Sequence, residues 1–195
     1  MARPRRIIDC GDFTLRCWRA QEDFAAAFTL IEESLEHLRP WEPWVAGHSE
    51  ESTRALLANC ESKWATGEVY NYAIAKDGAP VGMCQSYRAP EPRGRCLGYW
   101  LHPAATGQGI ATRAAAALVA EMFALPAVEY LEITHDSANA SSAAIPRRLG
   151  FTQLRQEPAP PPVAPSGSGI NVTWRLTRTT HRLNPTGPIA ADHGT

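Results

Sequence analysis

The sequence lacks strong charge of either sign and any apolar run long enough to cross a membrane. Its 195 residues carry a formal net charge of −1, so no basic field would recruit nucleic acid or an acidic membrane surface. The longest apolar run, 114–120, is too short for a bilayer. The basic start has two isoleucines before Asp9, fewer apolar residues than a secretory signal needs. We therefore expect a soluble, cytoplasmic chain with no nucleic-acid or membrane partner.

Cysteine and histidine lack the spacings that a metal site or a disulfide framework would need. The five cysteines are scattered, and none forms a Cys-x-x-Cys pair. This pattern favours reduced thiols over a disulfide or zinc framework. The six histidines form no pair at ligand spacing. We expect no metal cofactor.

Hydrophobic periodicity predicts a chain of mixed α/β (α+β) class. The predicted order is a strand at 12–19, helices at 21–38 and 50–65, a hairpin of strands 69–76 and 80–87, a strand at 96–102, a helix at 107–123, a strand at 128–135, a helix at 139–149, and strands at 151–156 and 171–177. The inner stripe of the first helix is predicted at residues 24, 28, 31 and 35, and that of the third helix at residues 110, 114, 118 and 122. Ser49 is the predicted N-cap of the second helix, and Asp77-Gly78 is the predicted turn of the hairpin. The expected sheet is mixed and mostly antiparallel, with helices on its faces.

The predicted organisation is a single domain over residues 1–178, followed by a disordered tail over 179–195. Within the domain, 158–169 is rich in proline, alanine, glycine and serine, a composition unsuited to a helix or a central strand. It is predicted to be a surface loop, with a functional lid as the alternative.

The most informative motif is a glycine turn between a strand and a helix. The strand ends near His102, and Gly107-Gln-Gly-Ile-Ala-Thr112 opens the helix. Glycines at such a turn let backbone N–H groups approach an anion, and the helix N-terminus adds partial positive charge. A pyrophosphate suits this arrangement. A Rossmann dinucleotide site is the alternative. It would require a third glycine near Thr112, and the strand before its glycine turn would not follow a hairpin as this strand does.

Two further motifs follow the glycine turn, Asn139-Ala-Ser-Ser142 and Leu149-Gly-Phe151. The three together resemble the acyl-CoA core of the GCN5-related N-acetyltransferases (GNAT). The segment 37–44, His-Leu-Arg-Pro-Trp-Glu-Pro-Trp, is similar to the branch that acetylates ribosomal-protein N-termini (RimJ/RimL-like). The resemblance extends to about Arg178, and it implies the GNAT fold, with splayed strands around an acetyl-CoA site.

The resemblance also implies which residues contact acetyl-CoA: Leu101, His102, Thr106, Gly107, Gln108, Gly109, Ile110, Ala111, Thr112, Asn139 and Ser142. The backbone amides of 107–112 would hold the pyrophosphate. Thr106 departs from the glutamine or arginine usual at its position, although its hydroxyl could still donate. Asn139 would contact the pantetheine arm in addition to capping its helix. A backbone N–H near Leu101 would stabilise the oxyanion, and Ser142 would protonate the leaving thiolate.

The acceptor side is less defined. Trp41 and Trp44 would wall the acceptor cleft or serve as packing residues. Many relatives carry a glutamate just before the Gly-Tyr-Trp strand, but 95–97 reads Arg-Cys-Leu. The residues that could replace it as general base are Glu42, His102, His135 and Asp136, and the sequence assigns none of them.

The function that the resemblance implies is acetyl-CoA-dependent N-acetylation of a primary amine by direct attack on the thioester. The acceptor would be a protein N-terminal α-amine or a small-molecule amine, since the acceptor end of a fold varies with its loops. The alternatives are a non-catalytic acyl-CoA-binding sensor and a plain interaction domain. The sequence leaves open whether the protein forms a homodimer.

Overall fold

The computed structural model describes residues 2–183. Its strands are β1 (Ile7–Asp9), β2 (Thr14–Cys17), β3 (Val69–Lys76), β4 (Ala79–Arg88), β5 (Gly94–Leu101), β6 (Tyr130–Asp136), β7 (Thr152–Pro158) and β8 (Ile170–Thr177). The helices are α1 (Phe24–Leu38), α2 (Glu50–Thr66), α3 (Ile110–Phe123), α4 (Ala140–Arg148) and α5 (Arg178–Leu183), with 3-10 turns at Pro43–Gly47 and Pro103–Ala105.

All eight of these strands belong to one sheet, in the order β1-β2-β3-β4-β5-β6-β8-β7. The β5–β6 pair is parallel and its neighbours are antiparallel, so the predicted mixed, mostly antiparallel sheet is confirmed. A crossover through α3 joins β5 to β6. The chain likewise passes from β6 through α4 to β7, but β8 inserts between these two strands and leaves β7 at the edge.

Helices cover both faces of the sheet. Successive side chains of a strand point to opposite faces of the sheet, and two neighbouring residues of β3 show that both faces are covered. Ile74 belongs to the large core cluster that includes α3, whereas Ala73 belongs to a smaller cluster with α1 and α2. The inner stripe of α3 is confirmed, because Ile110, Ala114, Leu118 and Met122 are all fully buried. These packed helices fix the glycine turn at the start of α3 against the end of β5.

The predicted inner stripe of α1 is wrong for three of its four residues. The buried positions are Ala27, Leu30, Ile31, Ser34 and Leu38, and of the predicted stripe they include Ile31 alone. Ser34 can be buried because its hydroxyl donates to the Leu30 carbonyl at 2.7 Å, whereas the phenylalanines stay half-buried at the margin of the helix. There the Arg54 guanidinium lies 3.7 Å above the Phe24 ring, and Phe28 stacks on His48.

The chain termini add detail that periodicity missed. The predicted strand over 12–19 is shorter, and the three-residue strand β1 pairs with it. Residues 178–183, nearly all of them in the expected tail, form α5, while 184–195 lie outside the described residues. The Pro-rich loop runs as irregular chain between β7 and β8. In the described part of the chain, no helix is both long and apolar enough to cross a membrane.

Candidate active site

The parallel pair β5–β6 opens into a V-shaped gap part-way along its length. The two strands pair over Gly94–Leu97 and Tyr130–Ile133. Beyond that point β5 continues along β4 to Leu101, whereas β6 continues along β8 to Asp136. Because the strands part, residues 98–101 have no strand paired on their β6 side within the described chain.

Two backbone N–H groups of β5 point into this gap. The His102 N–H donates to the Val81 carbonyl at 2.9 Å, which anchors the end of the β4–β5 ladder. In an antiparallel ladder every second residue turns its N–H and C=O toward the partner strand. The even-numbered residues of β5 therefore face β4. The N–H groups of Tyr99 and Leu101 face the gap, where they could stabilise a developing negative charge on a carbonyl oxygen.

The glycine turn is open to a ligand at one end of the gap. Gly107 and Gly109 have left-handed backbone angles, with φ of +74° and +70°. A Cβ at either position would meet nothing within 4 Å. The N-terminus of α3 has Gly109 as its N-cap and no side-chain hydrogen bond, which leaves its first N–H groups available. Such an exposed nest of amides fits a phosphate group.

Side chains beside the turn are used to hold its shape. The Thr106 hydroxyl donates to the Pro103 carbonyl at 2.7 Å. Its proton is therefore engaged inside the protein, contrary to the expectation that it was free to donate to a ligand. Gln108 is likewise tied down, because its amide nitrogen donates to the Ala104 carbonyl at 2.9 Å. Of the predicted phosphate contacts, the backbone amides remain available.

The start of α4 lies across the gap from β5. The Asn139 side chain accepts from the Ser142 N–H at 2.9 Å, so the predicted helix cap is present. The Tyr99 hydroxyl lies 3.5 Å from the Ser142 carbonyl oxygen. Burial raises the pKa of Tyr99 to about 12, which keeps this phenol protonated at neutral pH. Ser142 from α4 and Tyr99 from β5 thus bring two hydroxyl groups to the gap.

A cleft of about 460 Å³ continues from the gap toward the loop between α1 and α2. Its lining is aromatic, proline-rich and free of lysine and arginine: Trp41, Glu42, Pro43, Tyr87, Leu97, Gly98, Tyr99, Ile133, Thr134, His135, Asp136, Asn139, Ser142, residues 159–164 and Asn171. Trp41 is part of this wall, as the resemblance implies. The exposed Trp44 is not; its ring nitrogen instead donates to Glu42 at 2.9 Å.

Glu42 stands out among the cleft residues as a carboxylate in a poorly hydrated position. Burial raises the pKa of its carboxyl group, and the hydrogen bond from Trp44 offsets part of that rise. One carboxylate oxygen accepts from Trp44, and the group lies among Trp41, Pro43 and the prolines of the Pro-rich loop. A carboxylate that is partly dehydrated and fixed by one hydrogen bond can accept a proton from an amine.

The three other candidate bases are committed to structural contacts. Both ring nitrogens of His135 are engaged, Nε2 with the Trp174 N–H at 2.9 Å and Nδ1 with the Asp136 carbonyl at 2.8 Å. His102 accepts from Ala104 through Nδ1 and lies outside the cleft. Partial burial raises the pKa of Asp136, but hydrogen bonds from residues 138, 168 and 169 outweigh this and hold its pKa below the usual value. These bonds commit its carboxylate to holding the base of the Pro-rich loop.

The Pro-rich loop is a cleft wall that sequence reasoning left as a surface loop or lid. Residues 159–164 line the cleft, and the Ser166 N–H donates to the Pro40 carbonyl at 3.0 Å. At the base of the loop, Asp136 accepts from the Ser168 N–H and hydroxyl and from the Gly169 N–H. Tyr87 and Tyr99 were also missed, because an alternating strand pattern does not say which face meets a cleft.

The thiols are free. All five cysteines are unpaired, and burial raises the pKa of Cys10 and Cys96 to about 11. Raised pKa values keep these groups as thiols at neutral pH, which makes them poor nucleophiles and poor metal ligands. Among residues 2–183, no cluster of three or more His, Cys, Asp or Glu side chains is placed to hold a metal ion.

Comparison with known proteins identifies this arrangement. A family model described as an acetyltransferase (GNAT) domain matches residues 12–152, more than half of the chain and nearly all of the elements that build the cleft. The chain belongs to the GNAT acetyltransferase family. The predicted family and activity class are thereby confirmed. No curated protein matched the sequence significantly.

Solved structures show the same GNAT fold at low sequence identity. RimL, a ribosomal L7/L12 α-N-protein acetyltransferase in complex with coenzyme A, has a TM-score of 0.81 at 21% identity, covering 89% of this chain and 99% of its own. The microcin C7 self-immunity acetyltransferase MccE, in complex with acetyl-CoA and AMP, has a TM-score of 0.80 at 17% identity, covering 88% and 96%. Mycobacterium smegmatis RimJ has a TM-score of 0.78 at 24% identity, covering 95% and 89%.

Proposed function

We propose that this GNAT protein transfers the acetyl group of acetyl-CoA to the N-terminal α-amine of a protein or peptide. The observation that carries the proposal is the placement of two features beside the unpaired end of β5. The anion-binding glycine turn follows this strand in the chain, and the cleft lined by Gly98 and Tyr99 of the same strand holds the partly dehydrated carboxylate of Glu42. These two features suit a phosphate-bearing donor and an amine acceptor.

The donor side uses mostly backbone groups. The amides of residues 107–112 would hold the pyrophosphate of the coenzyme, and Asn139 would contact its pantetheine arm. The coenzyme supplies a thioester at the gap. The N–H groups of Tyr99 and Leu101 would lie beside the thioester carbonyl and stabilise the oxyanion as negative charge develops, without reorganising at the moment of reaction.

Two hydroxyl groups are available for the leaving thiolate. Ser142 lines the cleft on the α4 side and would donate a proton or hydrogen bond to the sulfur. Tyr99 of β5 is a second donor, since its raised pKa keeps the phenol protonated. We assign the principal role to Ser142, because the Tyr99 hydroxyl is already within reach of the Ser142 carbonyl.

Glu42 is the base that this geometry favours. An attacking amine must be neutral, and an α-amine with a pKa near 8 is only about one-tenth neutral at pH 7. Glu42 would accept a proton from that ammonium, directly or through one water molecule. Trp44 holds the carboxylate in position through its ring N–H. A base in the cleft also removes the main argument for a sensor without catalytic activity.

The acceptor cleft favours a peptide end over a polycationic small molecule. Its walls are Trp41, Tyr87 and the prolines of the Pro-rich loop, and its carboxylates are Glu42 and Asp136. Four hydrogen bonds from neutral groups engage the Asp136 carboxylate, which leaves Glu42 as the less engaged carboxylate for an incoming ammonium. RimL, which shares the fold, is described as a protein α-N-acetyltransferase, while MccE binds AMP; a small-molecule amine is therefore the second candidate.

The donor assignment is tested by calorimetric titration of the purified protein with acetyl-CoA and with NADH. We expect affinity near the micromolar range for acetyl-CoA and no heat with NADH. In Gly109→Trp the indole would occupy the phosphate turn and abolish binding. Gly150→Trp is the matched control, because Gly150 also has a positive φ and open space around a Cβ. Binding of NADH, or equal affinity in Gly109→Trp, would contradict the assignment.

A further inference from the structure

One of the two lysines in the sequence lies next to the glycine turn. Lys76 ends β3, and the turn Asp77-Gly78 leads back into β4. Because Gly82 of β4 pairs with Leu101 at the end of β5, this hairpin lies beside the start of the loop to α3. The Lys76 ammonium donates to the side-chain oxygen of Gln108 at 3.2 Å.

The glycine turn has no cationic side chain at position 106, where the phosphate motif of the GNAT family usually has glutamine or arginine. Thr106 occupies that position, and its hydroxyl proton is used by the Pro103 carbonyl. Backbone amides alone would then face the two negative charges of a pyrophosphate. A nearby ammonium would add a charge-assisted contact, which is stronger than one between neutral groups.

The other cation near the turn is already neutralised. Arg113, in the first turn of α3, makes a two-point ion pair with the Asp12 carboxylate, which holds the pKa of Asp12 below its usual value. Lys76 differs, because its ammonium donates to the neutral amide of Gln108. Within residues 2–183 no carboxylate lies at salt-bridge distance from it, although Asp12 is close enough for the Lys76 charge to help lower the Asp12 pKa. A flexible ammonium held by a neutral group can swing to an arriving phosphate.

We propose that Lys76 supplies the cationic contact to the coenzyme pyrophosphate that Thr106 cannot make, with Gln108 positioning the ammonium beside the glycine turn. The proposal rests on the proposed function, because it presumes that acetyl-CoA binds at this turn. It extends the coenzyme site from the turn and α4 to the β3–β4 hairpin, a segment distant in sequence.

The test is calorimetric titration of acetyl-CoA into wild type, Lys76→Gln, Lys76→Arg and Lys63→Gln. We expect Lys76→Gln to weaken binding by about tenfold, the scale of one partly exposed charged contact, and to reduce the loss of affinity with added salt. Lys76→Arg should keep most of the affinity. Lys63→Gln is the matched control, because Lys63 lies on α2 beside Glu68, away from the turn.

A second titration with 3′-dephospho-acetyl-CoA identifies the phosphate that Lys76 contacts. An equal loss in Lys76→Gln with both coenzymes supports the pyrophosphate, whereas a loss that disappears without the 3′-phosphate overturns that assignment. Unchanged affinity in Lys76→Gln overturns the role of Lys76 altogether. Failure of the wild type to bind acetyl-CoA would instead contradict the proposed function, so the two failures are distinguishable.

Discussion

Replacing Asp136 by asparagine should loosen the Pro-rich loop and weaken acceptor binding without changing coenzyme affinity. The carboxylate joins the C-terminal end of the Pro-rich loop to the connection between β6 and α4. One oxygen accepts from the N–H groups of Ala138 and Ser168 at 2.9 Å and from the Ser168 hydroxyl at 2.8 Å. The other oxygen accepts from the Gly169 N–H at 3.1 Å.

The size of the effect depends on which hydrogen bonds of the Asp136 carboxylate an asparagine can retain. Its carbonyl oxygen can retain the three contacts of the first oxygen, but its NH2 group would face the Gly169 N–H, donor against donor. The substitution therefore removes one hydrogen bond, weakens the other three because their acceptor is no longer charged, and adds an unfavourable contact between two donors. At roughly 1 kcal/mol for each hydrogen bond, we expect a local cost of about 2 kcal/mol. That cost corresponds to about a thirtyfold shift toward the open loop.

The wild-type anchor also has a definite pH dependence. The folded pKa of Asp136 is lowered, so its contribution is complete above the unfolded value near 3.9 and is lost as pH falls through the lower folded value. Loop closure should therefore be constant across neutral pH. In Asp136→Asn the loop should be equally open throughout that range.

The assay is hydrogen exchange over residues 159–169 combined with steady-state kinetics. Exchange should accelerate in Asp136→Asn, and the acceptor KM should rise several-fold while the coenzyme Kd stays within about twofold, since the cap on α4 is untouched. Asp77→Asn is the matched control, because Asp77 lies in the exposed hairpin turn. Unchanged exchange with an unchanged acceptor KM would refute the reasoning.

Two further substitutions test the chemistry. Ser142→Ala should lower kcat by about tenfold to a hundredfold while leaving acetyl-CoA affinity nearly unchanged, as measured by thiol release and calorimetry; an unaltered kcat would remove Ser142 from the mechanism. Glu42→Gln should cost about a hundredfold in kcat/KM at pH 7 and recover part of that loss toward pH 9, where the α-amine is neutral in solution. A uniform loss at every pH would show that Glu42 acts only in packing.

Local signals in the sequence predicted the frame of the molecule well. Ser49 caps α2 and accepts from the Ser52 N–H at 3.1 Å, and Asp77-Gly78 makes the hairpin turn with positive φ at both residues. The fully buried stripe of α3 follows from its period. Each of these features depends on residues close together in the chain, where propensity and periodicity are informative.

The acceptor side could not be predicted, because it is made by contacts between distant segments. The Pro-rich loop meets the α1–α2 loop through the bond from Ser166 to Pro40, and its base is held by Asp136. Glu42 gains its raised pKa from burial among residues of three separate segments. The same limit explains α1, whose buried face includes Ala27 and Ser34 rather than its largest apolar residues, the phenylalanines.

Acetyl transfer to matched peptides tests the central claim most directly. The protein is incubated with acetyl-CoA and two short peptides of the same sequence with an internal lysine, one with a free N-terminus and one with a blocked N-terminus, alongside an aminoglycoside. Product mass and fragmentation locate the acetyl group. The account predicts one acetyl group on the free α-amine and none on the blocked peptide. Acetylation of the aminoglycoside or the lysine instead, or of no amine at all, would contradict it.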